Sequence, residues 1–305
     1  MLFQPPLPPK YAALTEREMC DAIRERKRTL GSRAVILGHH YQQEDVIQFA
    51  DFTGDSLKLA QLGAKQDTVE FIVFCGVHFM AESADIVTDD SVTVILPDLS
   101  AGCSMADMAD IDQVEDAWDF FVETCGAQVI PVTYVNSTAA VKAFCGGHDG
   151  ACCTSSNARA ILEWAFQRGE KVLFLPDQHL GRNTAYAMGI PLEEMVVYDP
   201  HLPDGGLTPQ QVRDARVLLW KGHCSVHGLF TPGQCDEIRR NDPECKILVH
   251  PECLWEVVQK ADLAGSTEFI VKAVRESPSG TRWAIGTEIH LVNRLAEQYP
   301  DKPVR

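Results

Sequence analysis

The chain has 305 residues, 45% of them hydrophobic, and a formal net charge of −16. That length holds one large domain or two to three smaller ones, and the apolar share excludes a disordered chain. The acidic balance argues against nucleic acid as the main partner, which needs a basic footprint; a local cluster of amide and hydroxyl donors can still bind a small anion.

In chain order, the start (Met1 to Lys10) is proline-rich and lacks the apolar segment of a signal peptide. No apolar run approaches the length of a membrane span, so no membrane partner is expected and the expected location is the cytoplasm. Strands are predicted at 33–38, 70–75, 92–97, 128–135, 171–175, 216–220, 246–250 and 282–287. Each is short, rich in Val, Ile, Leu or Phe, and continuously apolar, the pattern of parallel strands buried on both faces. Helical periodicity runs from Asp45–Ala50 on through Leu57–Leu62, over Asn157–Arg168, and through Val258, Ala261 and Phe269–Val274. Strand and helix in alternation predict an α/β fold with crossover connections.

A module recurs along these elements. Each copy opens on a strand with a polar tip: His39-His40-Tyr41, then Tyr134-Val135-Asn136-Ser137, then His250-Pro251-Glu252-Cys253. Each then has a small hydroxyl loop before an apolar stretch: Gly54-Asp55-Ser56, Thr154-Ser155-Ser156 and Gly265-Ser266-Thr267. The first two copies close on Gly102-Cys103 and Gly222-His223-Cys224, and the third has no counterpart before Arg305. Three units are therefore expected, 1–103, 104–224 and 225–288, with 289–305 joined to the first. In open α/β sheets ligands sit at the carboxyl ends of the strands. Three units facing a common centre would bring these tips into one cavity.

The tips offer acid–base chemistry. Histidine, tyrosine and glutamate at a strand end can move protons, and residues two apart on an extended segment share a side. A histidine or tyrosine at one strand end alone is ordinary structure; three at matching positions favour function. The hydroxyl loops read as N-caps, and helix N-termini are also anion sites. The eleven cysteines are not expected to form disulfides in a reducing compartment, and the odd count leaves one unpaired. Cys75 reads as core packing and Cys152-Cys153 as packing or strand-end structure. Cys103 and Cys224 occupy equivalent loop positions and read as ligands. Two thiolates are too few for a closed zinc or iron–sulfur site, and Cys253 is the nearest further thiol.

The segments GHHYQQEDVIQFADFTGDSLKLA, GVHFMAESA, PDLSAGCSMAD, VTYVNS, CTSSNA, FLPDQHLG, WKGHCSVH, HPEC, AGSTEFI and IGTEIHLVNRL, in this order, resemble the motif series of the quinolinate synthase family, from about Pro5 to Arg294. The resemblance implies three pseudo-symmetric three-layer α/β/α units with parallel sheets around a central active site. It implies an enzyme of bacterial NAD biosynthesis that condenses iminoaspartate with dihydroxyacetone phosphate to quinolinate, with loss of phosphate and two waters. It also implies a 4Fe–4S cluster with one open iron acting as a Lewis acid. Cys103 and Cys224 match two of the cluster cysteines; the third is expected beyond Arg305. By the same resemblance Tyr41, His250 and Glu252 are catalytic, and His39, Tyr41, Ser56, Tyr134, Asn136, Ser155, His250, Glu252, Ser266 and Thr267 bind substrate. A functional link to L-aspartate oxidase is a further expectation. His40, His78, His179 and Glu288, all near strand ends, are left without a role.

Two other readings compete. One is a zinc hydrolase using Cys103, Cys224 and either His227 or His250. The other is a non-catalytic relative without a cluster.

Overall fold

Apolar runs form the centre of the sheets: the strands Val129–Tyr134, Lys171–Leu175, Val217–Trp220 and Trp283–Gly286 are buried along their whole length, as strands covered on both faces are, whereas Phe71–Cys75 alternates and Thr93–Ile95 is largely exposed. The computed structural model describes residues 6–66, 68–125 and 129–305. Its strands form three sheets, and every pairing is parallel. The first sheet, in order β2-β1-β3-β4, consists of β1 (Ala34–His39), β2 (Phe52–Gly54), β3 (Phe71–Cys75) and β4 (Thr93–Ile95). The second contains β5 (Val129–Tyr134), β6 (Ala151–Cys153), β7 (Lys171–Leu175), β8 (Met195–Tyr198) and β9 (Val217–Trp220), ordered β6-β5-β7-β9-β8. The third is β11-β10-β12, with β10 (Lys246–Val249), β11 (Leu263–Ala264) and β12 (Trp283–Gly286). Strands alternate with helices throughout, the α/β class expected from the sequence.

The chain forms two compact units, Met1–Cys103 and Ser104–Arg305. The first holds the first sheet and the second holds the other two.

All eight predicted strands are present. The four others, β2, β6, β8 and β11, are short. Three of them share one function: β2, β6 and β11 each add an edge to the opening strand of their sheet, pairing with β1, β5 and β10. The continuous helix expected over 45–62 is therefore two helices, Glu44–Ile47 and Ser56–Ala64, with β2 between them. Glycine makes that close packing possible, since a Cβ on Gly38 of β1 would lie 2.7 Å from Ile47 Cδ1 and 2.9 Å from Ala50 Cβ.

The core of the second sheet packs large side chains. Trp220, Phe121, Leu173, Leu175 and Val212 are fully buried, and Trp220 stacks on Tyr198 at 5.5 Å. The Trp220 indole N–H donates to Met108 O at 2.6 Å, which satisfies its one polar atom. Rigid packing here holds the end of β9, four residues before Cys224.

The sequence pattern joins 289–305 to the first unit, but the backbone bonds of its last residues run to the third sheet. Trp283 N–H donates to Pro303 O and Ile285 N–H to Arg305 O, both at 2.8 Å, and Val304 bridges Trp283 in parallel. The cause is the free edge of β12, whose backbone donors need acceptors. Lys302, buried beside it, donates to Val274 O and Arg275 O at the end of helix Thr267–Glu276.

Candidate active site

The strand registers align the three tips. Gly38 pairs with Cys75, Thr133 with Leu175, and Val249 with Gly286. The next residues on the opening strands are therefore equivalent: His39, Tyr134 and His250. Two residues further lie Tyr41, Asn136 and Glu252. All are at carboxyl ends, where parallel sheets place ligands.

In the first unit, His39 is buried and its Nδ1 accepts the Tyr41 N–H at 3.2 Å. The Tyr41 ring meets the His39 ring edge-on at 4.8 Å. His40 N–H is taken by Gly54 O at 3.2 Å, and both His40 and Tyr41 are half-buried. Ser56 is buried in the first turn of helix Ser56–Ala64, but the cap is Asp55, which accepts Lys58 N–H at 3.0 Å. His78 is exposed; its backbone N–H donates to Ala101 O at 2.9 Å and so anchors the loop to half-buried Cys103.

The second unit gathers the densest set of reactive groups, around Glu252. This carboxylate is 3% exposed. It is hydrogen-bonded to His227 Nδ1 at 2.8 Å and accepts the Tyr134 hydroxyl, and Cys224 Sγ lies within 4.8 Å. His250 lies beside it, Nδ1 to Oε1 at 3.8 Å, and the His250 Nδ1 accepts the Glu252 backbone N–H at 3.3 Å. The His250 ring stacks on His227 at 4.5 Å with 16° between planes. His227 Nε2 is hydrogen-bonded to Thr287 Oγ1 at 3.1 Å. The ligand atoms of Cys224, His227 and Glu252 lie within 4.8 Å of one another.

Electrostatics split these groups. Burial alone would raise the Glu252 carboxyl, but positive charge on His250 or His227, when they are protonated, and the hydrogen bonds from His227 and Tyr134 outweigh it and bring the group below its ordinary value. Burial pushes His250 down to about 3, only partly opposed by Glu252, so its imidazole is neutral. Burial, then Glu252, pushes the Cys224 thiol up, so in this arrangement it keeps its proton. A carboxylate beside an imidazole and a phenol can pass protons among them.

Helix Gln178–Ala187 supports this arrangement. Asn183 is buried and donates from Nδ2 to both Pro251 O at 2.8 Å and Cys253 O at 2.9 Å, so it holds the turn that carries Glu252. Asp177 caps the same helix, accepting His179 N–H at 2.6 Å and Leu180 N–H at 3.1 Å on Oδ1. Its Oδ2 is buried with no protein partner, and burial together with the Glu252 charge pushes its carboxyl well up. Gly222 lies against Asp177 because a Cβ there would sit 2.1 Å from Pro176 O. That close approach sets the path of the Cys224 loop.

Of the sequence-predicted residues, the second unit brings Tyr134, His250, Glu252 and Cys224 into one cluster. Ser266 caps helix Thr267–Glu276 through Phe269 N–H at 3.3 Å, and its hydroxyl meets that of Ser156, not Ser155, at 2.9 Å. Ser155 and Asn136 are half-buried, and Thr267 is buried at the start of its helix. His39, Tyr41, Ser56 and Cys103 lie in the first unit. Glu288 is a helix cap, accepting His290 N–H and Leu291 N–H at 2.9 and 3.2 Å. His179 is packed against Arg182, Nδ1 to Nη1 at 3.2 Å, and burial, then Arg182, pushes it down to about 4. Cys253 is fully buried in an apolar cluster with Ile247, Val249 and Val257, which makes it core.

Sequence reasoning misses Asp177, Asn183 and Thr287, and weighs His227 only as a zinc ligand. One signal is available. Asp177 and Glu288 each stand two residues past the strand that flanks an opening strand, so they are equivalent cap positions in the repeat.

A family model described as Quinolinate synthetase A protein matches residues 21–305. The quinolinate synthase of Geobacillus kaustophilus (strain HTA426) is 58% identical over 301 residues, covering 98% of this chain and 81% of that protein. Those of Halalkalibacterium halodurans and Bacillus anthracis are 56% and 53% identical over 298 residues, with the same coverage. With nearly its whole length aligned at these identities, the chain belongs to the quinolinate synthetase A family.

Proposed function

We propose that this enzyme condenses iminoaspartate with dihydroxyacetone phosphate in the cytoplasm, closing the pyridine ring of quinolinate with release of phosphate and two waters. As a family member it is an enzyme of NAD biosynthesis with small-molecule substrates. No helix among the described residues is long and apolar enough to cross a membrane. The observation that carries the reading is the convergence of Tyr134, His227 and Cys224 on the buried carboxylate of Glu252. Each dehydration removes a proton from carbon and delivers one to a departing hydroxyl. Glu252 is the base, ionised and held by its turn; neutral His250 beside it passes protons; Tyr134 orients the carboxylate. Tyr41 donates its phenol to a substrate oxygen, with His39 fixing its backbone. Asn136 and the hydroxyls of Ser56, Ser155, Ser266 and Thr267 bind the carboxylates and the phosphate at helix starts, where backbone N–H groups favour anions.

The donor set agrees with an iron–sulfur cluster at Cys224. Its thiol opens onto polar groups, whereas Cys145, Cys153, Cys235, Cys245 and Cys253 are buried. Cys103 is the second expected thiolate, and the third is expected from beyond Arg305. When bound, such a cluster supplies an open iron that polarises substrate oxygen or nitrogen. The three sheets support units at 1–103, 104–224 and 225–288. An L-aspartate oxidase is the proposed source of iminoaspartate.

The test is anaerobic reconstitution with iron and sulfide, then iron counting and assay of quinolinate, on this chain and on a version extended by the unaligned part of a relative. About four irons and quinolinate formation in the extended protein are expected, both lost in Cys224→Ser. Quinolinate formation undiminished in Cys224→Ser would overturn the cluster assignment.

A further inference from the structure

The trio of Cys224, His227 and Glu252 has a geometry of its own. The three ligand atoms lie within 4.8 Å of one another, an arrangement that a tetrahedral ion with bonds of about 2.0 to 2.3 Å can close with little movement. Cys224 Sγ and His227 Nδ1 both face the one carboxylate, the latter at 2.8 Å. A divalent cation could take the place they fill. His227 is held for such a role from behind, because its Nε2 faces Thr287 Oγ1 at 3.1 Å. Metal-bound histidines are commonly oriented by a hydrogen bond from the other ring nitrogen. Charge also favours occupancy: a thiolate, a carboxylate and a neutral imidazole around a dication sum to zero, which suits a site where His227 and Glu252 are 1% and 3% exposed.

We propose that Cys224, His227 and Glu252 form a mononuclear zinc site in the cluster-free protein, with Thr287 orienting His227, and that zinc there excludes the cluster by capturing Cys224. Thiolate and imidazole donors select against magnesium and calcium, which take oxygen ligands. Binding is balanced by loss of one proton: the thiol gives up its hydrogen, while His227 moves its proton from Nδ1 to Nε2 and donates it to Thr287. Three protein ligands leave the fourth position for water. The inference needs only these side chains and does not depend on the cluster reading, although both use Cys224.

The test uses the full chain, freed of metal and titrated anaerobically with zinc chloride. About one zinc per chain is expected, with release of about one proton measured across buffers of different ionisation enthalpy. X-ray absorption on the wild-type protein should show one sulfur and two or more nitrogen or oxygen neighbours. Cys224→Ser, His227→Ala and Glu252→Gln should abolish stoichiometric binding, and Cys103→Ala should retain it. Thr287→Val should weaken it by roughly 10 to 100-fold. The extended protein, loaded with zinc, should then take up no iron and sulfide, whereas its zinc-free form should. A shell of two sulfurs, loss of zinc in Cys103→Ala, or unchanged affinity in His227→Ala and Glu252→Gln would overturn the proposal. Since absorption is read on unmutated protein, a variant that fails to fold does not blur the result. Iron loading of the zinc-free extended protein tests the cluster reading separately.

Discussion

The tips of β1 and β10 use the same backbone device for different chemistry. In both, a buried histidine accepts on Nδ1 the N–H of the residue two positions on, His39 from Tyr41 and His250 from Glu252. The device fixes the tautomer and aims the second residue. At β1 that residue is a half-buried phenol. At β10 it is a buried carboxylate that needs His227, Tyr134 and Cys224 as partners. A buried charge must be surrounded by donors or it neutralises. The repeat thus supplies one scaffold, and the added partners decide which copy can hold a buried charge.

The contrast is sharpest in variants of the two end residues. Glu252→Gln and Tyr41→Phe should each lower kcat by about 10² to 10⁴, the range of a lost acid or base. Glu252→Gln should also move the thermal midpoint, because it rearranges a buried network. A Glu252→Gln midpoint equal to wild type would remove the buried network from the account. Asn183→Ala comes next. Pro251 O and Cys253 O lose their donor, so a cost of about 1 to 3 kcal/mol is expected by denaturant unfolding. Its kcat should fall at unchanged iron content, since the Glu252 turn is no longer held.

Acid should weaken the second unit through its histidines. His250 and His179 are pushed down to about 3 and about 4, below the ordinary value of about 6.5. The unfolded chain therefore binds more protons in that window, and stability present above pH 6.5 is lost as pH falls toward those values. Thermal midpoints between pH 8 and pH 4 check this, and His179→Gln should flatten the slope. Asp177 has the opposite sign. Its raised carboxyl contributes stability at low pH that is lost as pH rises, so Asp177→Asn should gain on wild type toward alkaline pH. The smallest effects belong to the hydroxyl loops: about 1 kcal/mol for Ser266→Ala, which loses a cap, and within about 0.5 kcal/mol for Ser156→Ala.

Much of this architecture is legible in the amino-acid sequence. Continuous apolar runs mark β1, β3, β5, β7, β10 and β12, and the recurrence of polar tips marks His39, Tyr134 and His250 as equivalent. The edge strands are not legible: Phe52-Thr53-Gly54 and Leu263-Ala264 are too short for periodicity, and pairing with a neighbour defines them. The same holds for Asn183 and Thr287. Nothing in their local sequence shows that one holds the carbonyls of residues 251 and 253 and the other His227, since those contacts span 68, 70 and 60 residues. Ser155 and Ser156 are indistinguishable by sequence, and only the fold turns the second toward Ser266.

The most direct test is a crystal structure of the anaerobically prepared protein with quinolinate bound. The expected result is the pyridine dicarboxylate against Tyr134, His250 and Glu252, with a carboxylate at the Ser266–Thr267 helix start. Quinolinate bound elsewhere, with Glu252 still sealed behind His227 and Tyr134, would contradict the assignment of proton transfer to this tip.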